Sequence, residues 1–325
     1  MQPLYQLLRI LSDGHFHSGE ALGATLGMGR SAVWKHLKTL AEWDIVLHAV
    51  SGKGYRLAHS LELLDRDAIL CFVPEEARAL LPDLEIHHDI DSTNRHLMQK
   101  GRLGALSGQV CLAERQQAGR GRRGRAWISP FGANIYLSVL WRFALSPESL
   151  SGLGLAVGVA VTRALQDAGM PDVELKWPND ILWQGRKLAG ILLEMTGELS
   201  GACSVVVGIG LNVRMPRQTP AMIDQPWVDM ETALDAPVSR NEVAGRLLRH
   251  LALALRQFEA DGLSAFHGEW MRLDAANGKP VTLQLHNDSI TGVGRGIDAS
   301  GALILDDNGV IRHFPYGEVS LRMVS

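Results

Sequence analysis

A run of arginines and glycines at residues 115–125, RQQAGRGRRGR, limits the structures and ligands possible for this chain more than any other segment does. It holds five arginines and three glycines without one acidic residue. Glycines at this density disfavour a helix or a strand interior, and crowded guanidinium groups repel one another unless an anion lies among them. Because strands are predicted on both sides, the run predicts a loop anchored on a sheet. Its N–H groups and guanidinium forks can surround a phosphate or a carboxylate.

A dinucleotide-binding loop and a Walker loop fit this run less well. Its glycines match the spacing G-x-G-x-x-G of a dinucleotide-binding loop, which opens a helix and is followed about twenty residues later by an acid. Here Pro130 breaks any such helix, and the next acid is Glu148. No Gly-Lys-Ser or Gly-Lys-Thr of a Walker loop occurs in the sequence. A mobile linker or an exposed loop on nucleic acid is the remaining alternative, but Trp127 and the flanking strands favour an anion-binding loop.

The first sixty residues have the pattern of a winged helix-turn-helix. Leucines at helical spacing occupy residues 4–11, Ser18 can cap a second helix, and a third helix is predicted at residues 31–43 after a glycine-containing turn. A short hairpin with its turn at residues 51–54 follows and corresponds to the wing. A small three-helix packing module would show the same pattern, so the position of the charges has to distinguish the two.

The charges favour DNA binding. Because the whole chain has a formal net charge of −3, a contact with nucleic acid requires a local basic patch. Most of the six Lys and Arg residues among the first sixty lie on the third helix and the hairpin, where phosphate contacts would be needed. The predicted DNA-binding residues are Arg30, Ser31, Trp34, Lys35, Lys38 and Lys53.

The remaining chain predicts two more domains and an α+β fold class. Residues 61–273 mix helices at 148–168 and 241–260 with strands at 85–90, 109–114, 135–141, 173–177, 187–194 and 203–212. The first of these helices is apolar on nearly all sides and is expected in the core. Short strands with turns at 286–288, 298–301 and 306–309 indicate a small β-barrel. The predicted domains are residues 1–60, 61–273 and 274–325.

Several segments beside predicted strands are candidates for small-molecule recognition. Residues 91–94, DSTN, lie where a strand meets a helix, so hydroxyl and free N–H groups there can bind a polar ligand. Residues 176–180, KWPND, follow a strand, and Lys187 at the start of the next can point into a cleft near the arginines. Residues 208–212, GIGLN, end a strand with glycines that leave room for a ligand. Cations, amides and glycines together suit transfer between bound substrates.

Other site classes are not expected. The sequence lacks G-x-S-x-G and H-E-x-x-H, and its three cysteines and twelve histidines are dispersed, so no hydrolase motif and no metal site is predicted. The adjacent His87 and His88 are interpreted as strand residues. The uncharged stretch at residues 126–141 is too short to span a membrane, and the N-terminus lacks a signal sequence. A cytoplasmic location without membrane contact is therefore expected.

A set of motifs resembles a known family. GRGRRGRAWISPFGANIYLS, KWPND, RKLAGILLEMTG and GIGLNV, in this order behind a winged helix, closely resemble the bifunctional biotin protein ligase and biotin operon repressor family. The resemblance extends from HSGEALGATLGM and SGKGY near the N-terminus to GRGID near the C-terminus. It implies a class II synthetase-like catalytic domain and an SH3-like C-terminal barrel.

The resemblance also implies an activity. Biotin and ATP, with Mg²⁺, would form biotinyl-5′-adenylate and pyrophosphate, and the biotinyl group would pass to a lysine of the biotin carboxyl carrier protein of acetyl-CoA carboxylase. The adenylate-bound form would be a homodimer that binds operator DNA and represses the biotin biosynthetic operon. Gly29 stands where the family often has a serine that caps the recognition helix, and glycine can still cap.

Site residues follow from the same resemblance. Catalytic roles would fall to Lys187, Arg122, Asp180 and Lys176. Biotin would be bound by Ser92, Thr93, Asn94, Gln116, Arg120, Arg122, Lys187, Gly190 and Gly208. ATP would be bound by Arg125, Asn179, Lys187, Asn212 and Trp227. Two alternatives remain: a repressor that binds biotin without transferring it, and a lipoyl ligase, which would not normally carry the winged helix or GRGRRGR.

Overall fold

The N-terminal helices meet in one small core of apolar side chains. The computed structural model describes residues 2–43, 45–59, 61–196, 203–216, 223, 225–285, 288–315 and 320–323. Ser18 Oγ accepts a hydrogen bond from Ala21 N and caps the second helix, which ends at Gly27 with a φ of 65°. The predicted helix-turn-helix and hairpin are confirmed. The elements are α1 (Gln2–Leu11), α2 (Gly19–Leu26), α3 (Arg30–Glu42), β1 (Leu47–Val50) and β2 (Gly54–Leu57).

A seven-stranded mixed sheet forms the centre of the molecule and contains the six strands predicted for this region. Its order is β3-β4-β5-β9-β8-β7-β6, with β3 parallel to β4 and every other pair antiparallel. The short strand β7, which pairs with β6 and β8, was not predicted. The strands are β3 (Asp83–His87), β4 (Gln109–Ala113), β5 (Ile135–Phe143), β6 (Val173–Lys176), β7 (Asp180–Trp183), β8 (Arg186–Thr196) and β9 (Cys203–Leu211).

Helices cover both faces of this sheet. The first face packs against the apolar helix α7, which in turn packs on α9 and α10, and the second packs against α6. The stretch Pro147–Asp167 is long and apolar enough to cross a membrane by length and composition alone, but 78% of its most apolar window is buried in the protein. The helices are α4 (Arg66–Leu70), α5 (Glu75–Arg78), α6 (Thr93–Arg102), α7 (Leu153–Asp167), α8 (Met230–Leu234), α9 (Arg240–Asp261) and α10 (Ser264–Leu273).

The C-terminal strands form a five-stranded antiparallel sheet in the order β13-β12-β11-β10-β14. Its buried side chains join the hydrophobic core of the central domain. The expected small antiparallel β domain is confirmed, while the turn predicted at residues 286–288 lies largely outside the described residues. The strands are β10 (Pro280–Gln284), β11 (Ser289–Ile297), β12 (Leu303–Asp307), β13 (Val310–Phe314) and β14 (Ser320–Met323).

The winged helix completes its core with residues of the central domain. Phe131 and Leu61 belong to the same buried cluster as the leucines of α1. The ring of Phe131 stacks on Trp43 at the end of α3, with centroids 4.8 Å apart. Tyr5 of α1 likewise stacks on His88, which directly follows β3. The winged helix is thus packed on the loop that follows the arginine run and on the end of β3.

Candidate active site

One cavity of about 1080 Å³ brings most of the predicted site residues together. Its walls come from the start of α6, the arginine run, the β6–β7 connection, the first half of β8 and the end of β9, with the C-terminal domain at one side. The predicted residues on its surface are Ser92, Thr93, Asn94, Gln116, Arg120, Arg122, Arg125, Lys176, Asn179, Asp180, Lys187, Gly190 and Gly208.

One end of the cavity is lined by neutral hydrogen-bonding groups, Ser92, Thr93, Asn94 and Gln116. Gln116 Oε1 accepts hydrogen bonds from Thr93 N at 2.9 Å and from Thr93 Oγ1 at 3.1 Å. Ser138 Oγ lies 2.7 Å from Thr93 Oγ1 and 2.6 Å from Asn94 Oδ1. Asn94 Nδ2 donates to Glu194 Oε2 at 2.8 Å. Because these side chains hold one another in fixed positions, this end offers a preorganised site for a polar, uncharged group.

Glycines in β8 and β9 make room above the sheet at this end. Gly190 and Gly210 are paired across the two strands and face the side of α6. A Cβ atom on Gly210 would lie 2.3 Å from the ring of Trp127, and one on Gly208 would lie 2.2 Å from Asn94 Oδ1. Any side chain at either position would therefore displace the Trp127 ring or the Asn94 amide.

Trp127 forms part of the cavity wall. Its Nε1 is buried and has no hydrogen-bond partner among the described residues. A buried N–H group of this kind usually finds a partner, so an acceptor group of a ligand is a natural occupant. The ammonium group of Lys187 lies 5.6 Å from the centroid of the same ring. The indole therefore links the neutral part of the cavity to its charged part.

The other end of the cavity is basic. The arginine run folds back on itself, since Gly121 N donates to Arg125 O at 2.8 Å and Arg120 pairs with Ala126. Arg123 adopts a φ of 56° in a tight turn. Arg122 Nη1 donates to Asn179 Oδ1 at 3.2 Å, and the amide of Asn179 donates to Ile191 O of β8. The predicted anion-binding loop is thus fastened to the sheet.

Two lysines share one carboxylate at the centre of the cavity. Lys187 Nζ lies 2.7 Å from Asp180 Oδ1, and Lys176 Nζ lies 3.5 Å from Asp180 Oδ2. Burial lowers the pKa of Lys176; Asp180 opposes this change, and the charges of Lys187 and Arg125 add to it. All three side chains are less than one-fifth exposed, so their charges are only weakly screened by water.

Two predicted site residues lie beside the cavity and do not line it. Asn212 is buried, and its Nδ2 donates to Val228 O. Trp227 pairs with Lys187 through the backbone, because Lys187 N donates to Pro226 O and Val228 N donates to Lys187 O. Both residues position the segment that runs along the edge of β8. Their direct contact with a nucleotide stays a prediction.

The sequence interpretation missed several residues of the site. Ser138 and Glu194 are polar residues on the strands β5 and β8, and each touches Asn94. The signal for Ser138 was a single hydroxyl inside the apolar run IYLSVLW. Lys279 and Arg322 of the C-terminal domain also line the cavity, and no motif identified them.

The predicted DNA-binding residues form an exposed surface and are well separated in sequence from the cavity residues. All six are exposed, while Val33, Leu37 and Leu40 on the inner side of α3 are buried. Lys38 Nζ lies 4.2 Å from the centroid of the Trp34 ring, which is 51% exposed. A second cavity of about 410 Å³ separates α3 from the wing and is lined by Arg30 and Trp34.

Comparisons with known proteins identify the family of each region. Residues 88–212 match the biotin/lipoate A/B protein ligase family, residues 277–322 match the biotin protein ligase C-terminal domain, and residues 3–56 match an HTH domain. The chain is 44% identical to a bifunctional ligase/repressor BirA of Escherichia coli K12 over 98% of its own length and 96% of that protein. It is 30% identical to the protein of the same description from Bacillus subtilis, over 95% of each chain.

Solved structures agree with this relationship. A biotin protein ligase from Aquifex aeolicus in complex with biotin and ATP superimposes with a TM-score of 0.65 at 30% identity, covering 74% of this chain and 99% of that one. The apo structure of the same ligase gives a TM-score of 0.61 at 26% identity over 74% and 99%. With its winged helix, catalytic sheet and C-terminal β domain, the chain belongs to the family of bifunctional biotin protein ligase/repressors.

Proposed function

We propose that the cavity binds biotin at its neutral end and ATP at its basic end, and that Lys187 acts where the two meet. The observation that carries this proposal is the convergence of Lys187, Asp180 and the arginine run on one cavity whose other end is uncharged. The enzyme is a biotin–[acetyl-CoA-carboxylase] ligase, as its family membership shows. The roles of individual residues below are our proposal.

The first step joins two anions. A carboxylate oxygen of biotin attacks the α-phosphorus of ATP, a C–O–P bond forms, the bond to the oxygen that bridges the α- and β-phosphorus atoms breaks, and pyrophosphate leaves. Negative charge accumulates on the α-phosphate oxygens as this occurs. Lys187, Arg120 and Arg122 are suited to stabilise that charge, since all three line the cavity. Arg125 and Asn179 are assigned to the remaining phosphates and the nucleoside, with Asn212 and Trp227 beside them.

The second step transfers the biotinyl group. The amine of a lysine on the carrier protein attacks the acyl carbon of biotinyl-5′-adenylate, an amide bond forms, and AMP leaves with the electron pair of the broken C–O bond. The amine must lose a proton, and Asp180 is placed to accept it because its carboxylate faces the cavity between Lys176 and Lys187. The arginine run and Trp127 would exclude water from the reactive anhydride.

Magnesium enters as part of the ATP substrate. The acids that line the cavity among the described residues are Asp180 and Glu174, and both face lysines: Lys187 and Lys176 in the first case, Lys279 in the second. Phosphate oxygens and water therefore suit Mg²⁺ better here than a carboxylate cage does.

Repression follows from the winged helix. We assign operator DNA to the exposed face of α3 and the wing, with Arg30, Ser31, Trp34, Lys35, Lys38 and Lys53 as contacts. Two copies bound to the adenylate would form the homodimer that matches a palindromic operator. We propose domain boundaries at residues 60/61 and 273/274 and a cytoplasmic location, where the carrier protein and the operator are both present.

Mass measurement of the carrier domain tests the enzymatic proposal. The full-length protein is incubated with biotin, ATP, Mg²⁺ and the unmodified carrier domain, and the carrier should gain one biotinyl group. A carrier of unchanged mass, together with measurable biotin binding, would identify the repressor that binds without transfer. Lipoate offered in the same assay should leave the carrier unmodified, and lipoylation in its place would support the lipoyl ligase.

A further inference from the structure

Four metal-ligating side chains converge outside the biotin and ATP cavity. Glu85 and His87 lie on β3, Cys111 on β4 and His96 on α6. Glu85 and Cys111 are directly opposite each other in the parallel pair β3–β4. Because side chains alternate along a strand, Glu85 and His87 share the face that bears Cys111. Helix α6 packs on that face and adds His96.

The donor atoms lie near one another, and two pairs are close to the separations of a tetrahedral site. His87 Nε2 and His96 Nε2 lie 3.3 Å and 2.8 Å from Glu85 Oε2. The two histidines and Cys111 Sγ can offer donor atoms that all lie within 4.8 Å of one another. Zinc bonds of about 2.0–2.3 Å to N, O and S require donor separations of about 3.3–3.6 Å in a tetrahedron. The contacts of Glu85 with the histidines are near this range, and the donor pairs that lie farther apart would have to move closer together when an ion binds.

The surroundings orient the Glu85 carboxylate toward the cluster. Glu85 Oε2 faces His87 and His96, at 3.3 Å and 2.8 Å from their Nε2 atoms. Lys100 contacts the other oxygen of Glu85, Oε1, and leaves Oε2 facing the histidines. Asp83 and Gln109 complete the polar groups around Lys100. Lys100 would thus orient a ligand in the way that outer-shell residues of metal sites do.

The cluster is open to an entering metal ion on one side and shielded from water on the other. Cys111 is fully buried, whereas the side chains of His87 and His96 are 32% and 26% exposed. A metal ion bound to Cys111 would hold its sulfur as the thiolate. An ion could enter past the two imidazoles and reach a sulfur ligand that water does not.

We propose that Glu85, His87, His96 and Cys111 form a structural zinc site. Four protein ligands with two imidazoles and one thiolate match the donor set that zinc prefers, and they leave no open position for catalysis. The ion would fasten α6 to β3 and β4. Because Ser92, Thr93 and Asn94 at the start of α6 line the neutral end of the cavity, zinc would stiffen the helix that carries them.

Metal titration of the full-length protein tests the site. A Cys71→Ser background removes the exposed thiol, and the chelator-treated protein is titrated with Co²⁺ and then Zn²⁺. We expect one equivalent of Co²⁺ to bind with a thiolate charge-transfer band and tetrahedral d–d bands, and Zn²⁺ to displace it and raise the melting temperature. His96→Gln and Cys111→Ala should each abolish the charge-transfer band and the gain in melting temperature.

Cys203→Ala is the matched control, because Cys203 is also a buried strand cysteine but lies outside the cluster. It should keep both signals. The proposal is overturned if the parent protein binds no cobalt at one equivalent, or if His96→Gln and Cys111→Ala retain the band. The far-UV circular dichroism of each metal-free variant verifies that it is folded. If Cys111→Ala does not fold, His96→Gln still tests the site.

Discussion

Two basic surfaces of this molecule, the outer face of α3 and the arginine run, use the same residue types in different ways. The cations of α3 stand on a regular helix and are exposed to water, and Lys38 lies beside the ring of Trp34. Those of the arginine run stand on a glycine-rich loop that folds back at Gly121 and is fastened to Asn179. Four of the five arginines line the cavity that also holds Lys187 and Asp180.

The difference corresponds to two kinds of anion. DNA presents many phosphates at regular spacing, and a row of separate exposed cations neutralises them at a salt-dependent affinity. An acyl phosphate is one compact anion, and it is stabilised most by charges that surround it in a space with little water. Removing one cation should therefore have a small effect on α3 and a large effect in the cavity.

Lys187→Ala should cause the largest loss. We expect adenylate formation to slow by about 10³-fold, because the ammonium group faces the charge that develops on the α-phosphate. Biotin-dependent exchange of pyrophosphate into ATP measures this step. Lys38→Ala, which removes a lysine of α3, is the matched control and should leave exchange unchanged. Equal exchange in Lys187→Ala and the parent protein would contradict the assigned role.

Arg122→Ala should have the next largest effect. Loss of a charge-assisted hydrogen bond is worth about 1.5–3 kcal/mol, so we expect retention of biotinyl-5′-adenylate to weaken about 10- to 100-fold. The rate at which radiolabelled adenylate leaves the protein provides the measurement. Arg102→Ala changes an exposed arginine outside the cavity and serves as the control. If both variants release the adenylate at the parent rate, the loop does not hold it.

Gly210→Ala tests the space that Trp127 occupies. The added methyl group would meet the indole at 2.3 Å, so the ring must move, at a cost of about 1–3 kcal/mol. We expect biotin affinity to fall about tenfold or more in calorimetric titration. Gly268→Ala on α10 has nothing within 4 Å of its added methyl group and should bind biotin normally. Unchanged affinity in Gly210→Ala would place biotin elsewhere.

Lys38→Ala should have the smallest effect of the four. We expect operator affinity to fall a few-fold and the slope of log affinity against log salt to decrease by about one, as for the loss of one phosphate contact. Operator binding is measured by fluorescence anisotropy at several salt concentrations with biotin and ATP present. A slope equal to that of the parent protein would show that Lys38 does not contact a DNA phosphate.

Local signals carried much of the fold. The cap at Ser18 and the stripe of apolar residues in α9 predicted helices that the structure contains, because capping and amphipathic spacing act over a few residues. The strand β7, Asp180–Trp183, was not predicted, because it begins within the segment KWPND that the sequence analysis assigned to ligand recognition. The helix α10 was also not predicted.

Contacts between distant segments account for most of what was missed at the sites. The hydroxyl of Ser138 is 44 residues from Asn94 in the chain, and nothing in either segment specifies that they meet. The cluster of Glu85, His87, His96 and Cys111 has the same origin, since its donors come from two strands and a helix. The arginine run was found because all its charges lie within eleven residues.

The position of Phe131 bears on how such regulators can be recombined. Its ring lies in the core of the winged helix although the residue belongs to the central domain, and it stacks on Trp43. A winged helix taken from another repressor would therefore have to accommodate the Phe131 ring. An enzyme from which the winged helix had been deleted would expose that ring to solvent. Chimeras that exchange residues 130–132 together with the winged helix should be more stable than chimeras joined only at the boundary 60/61.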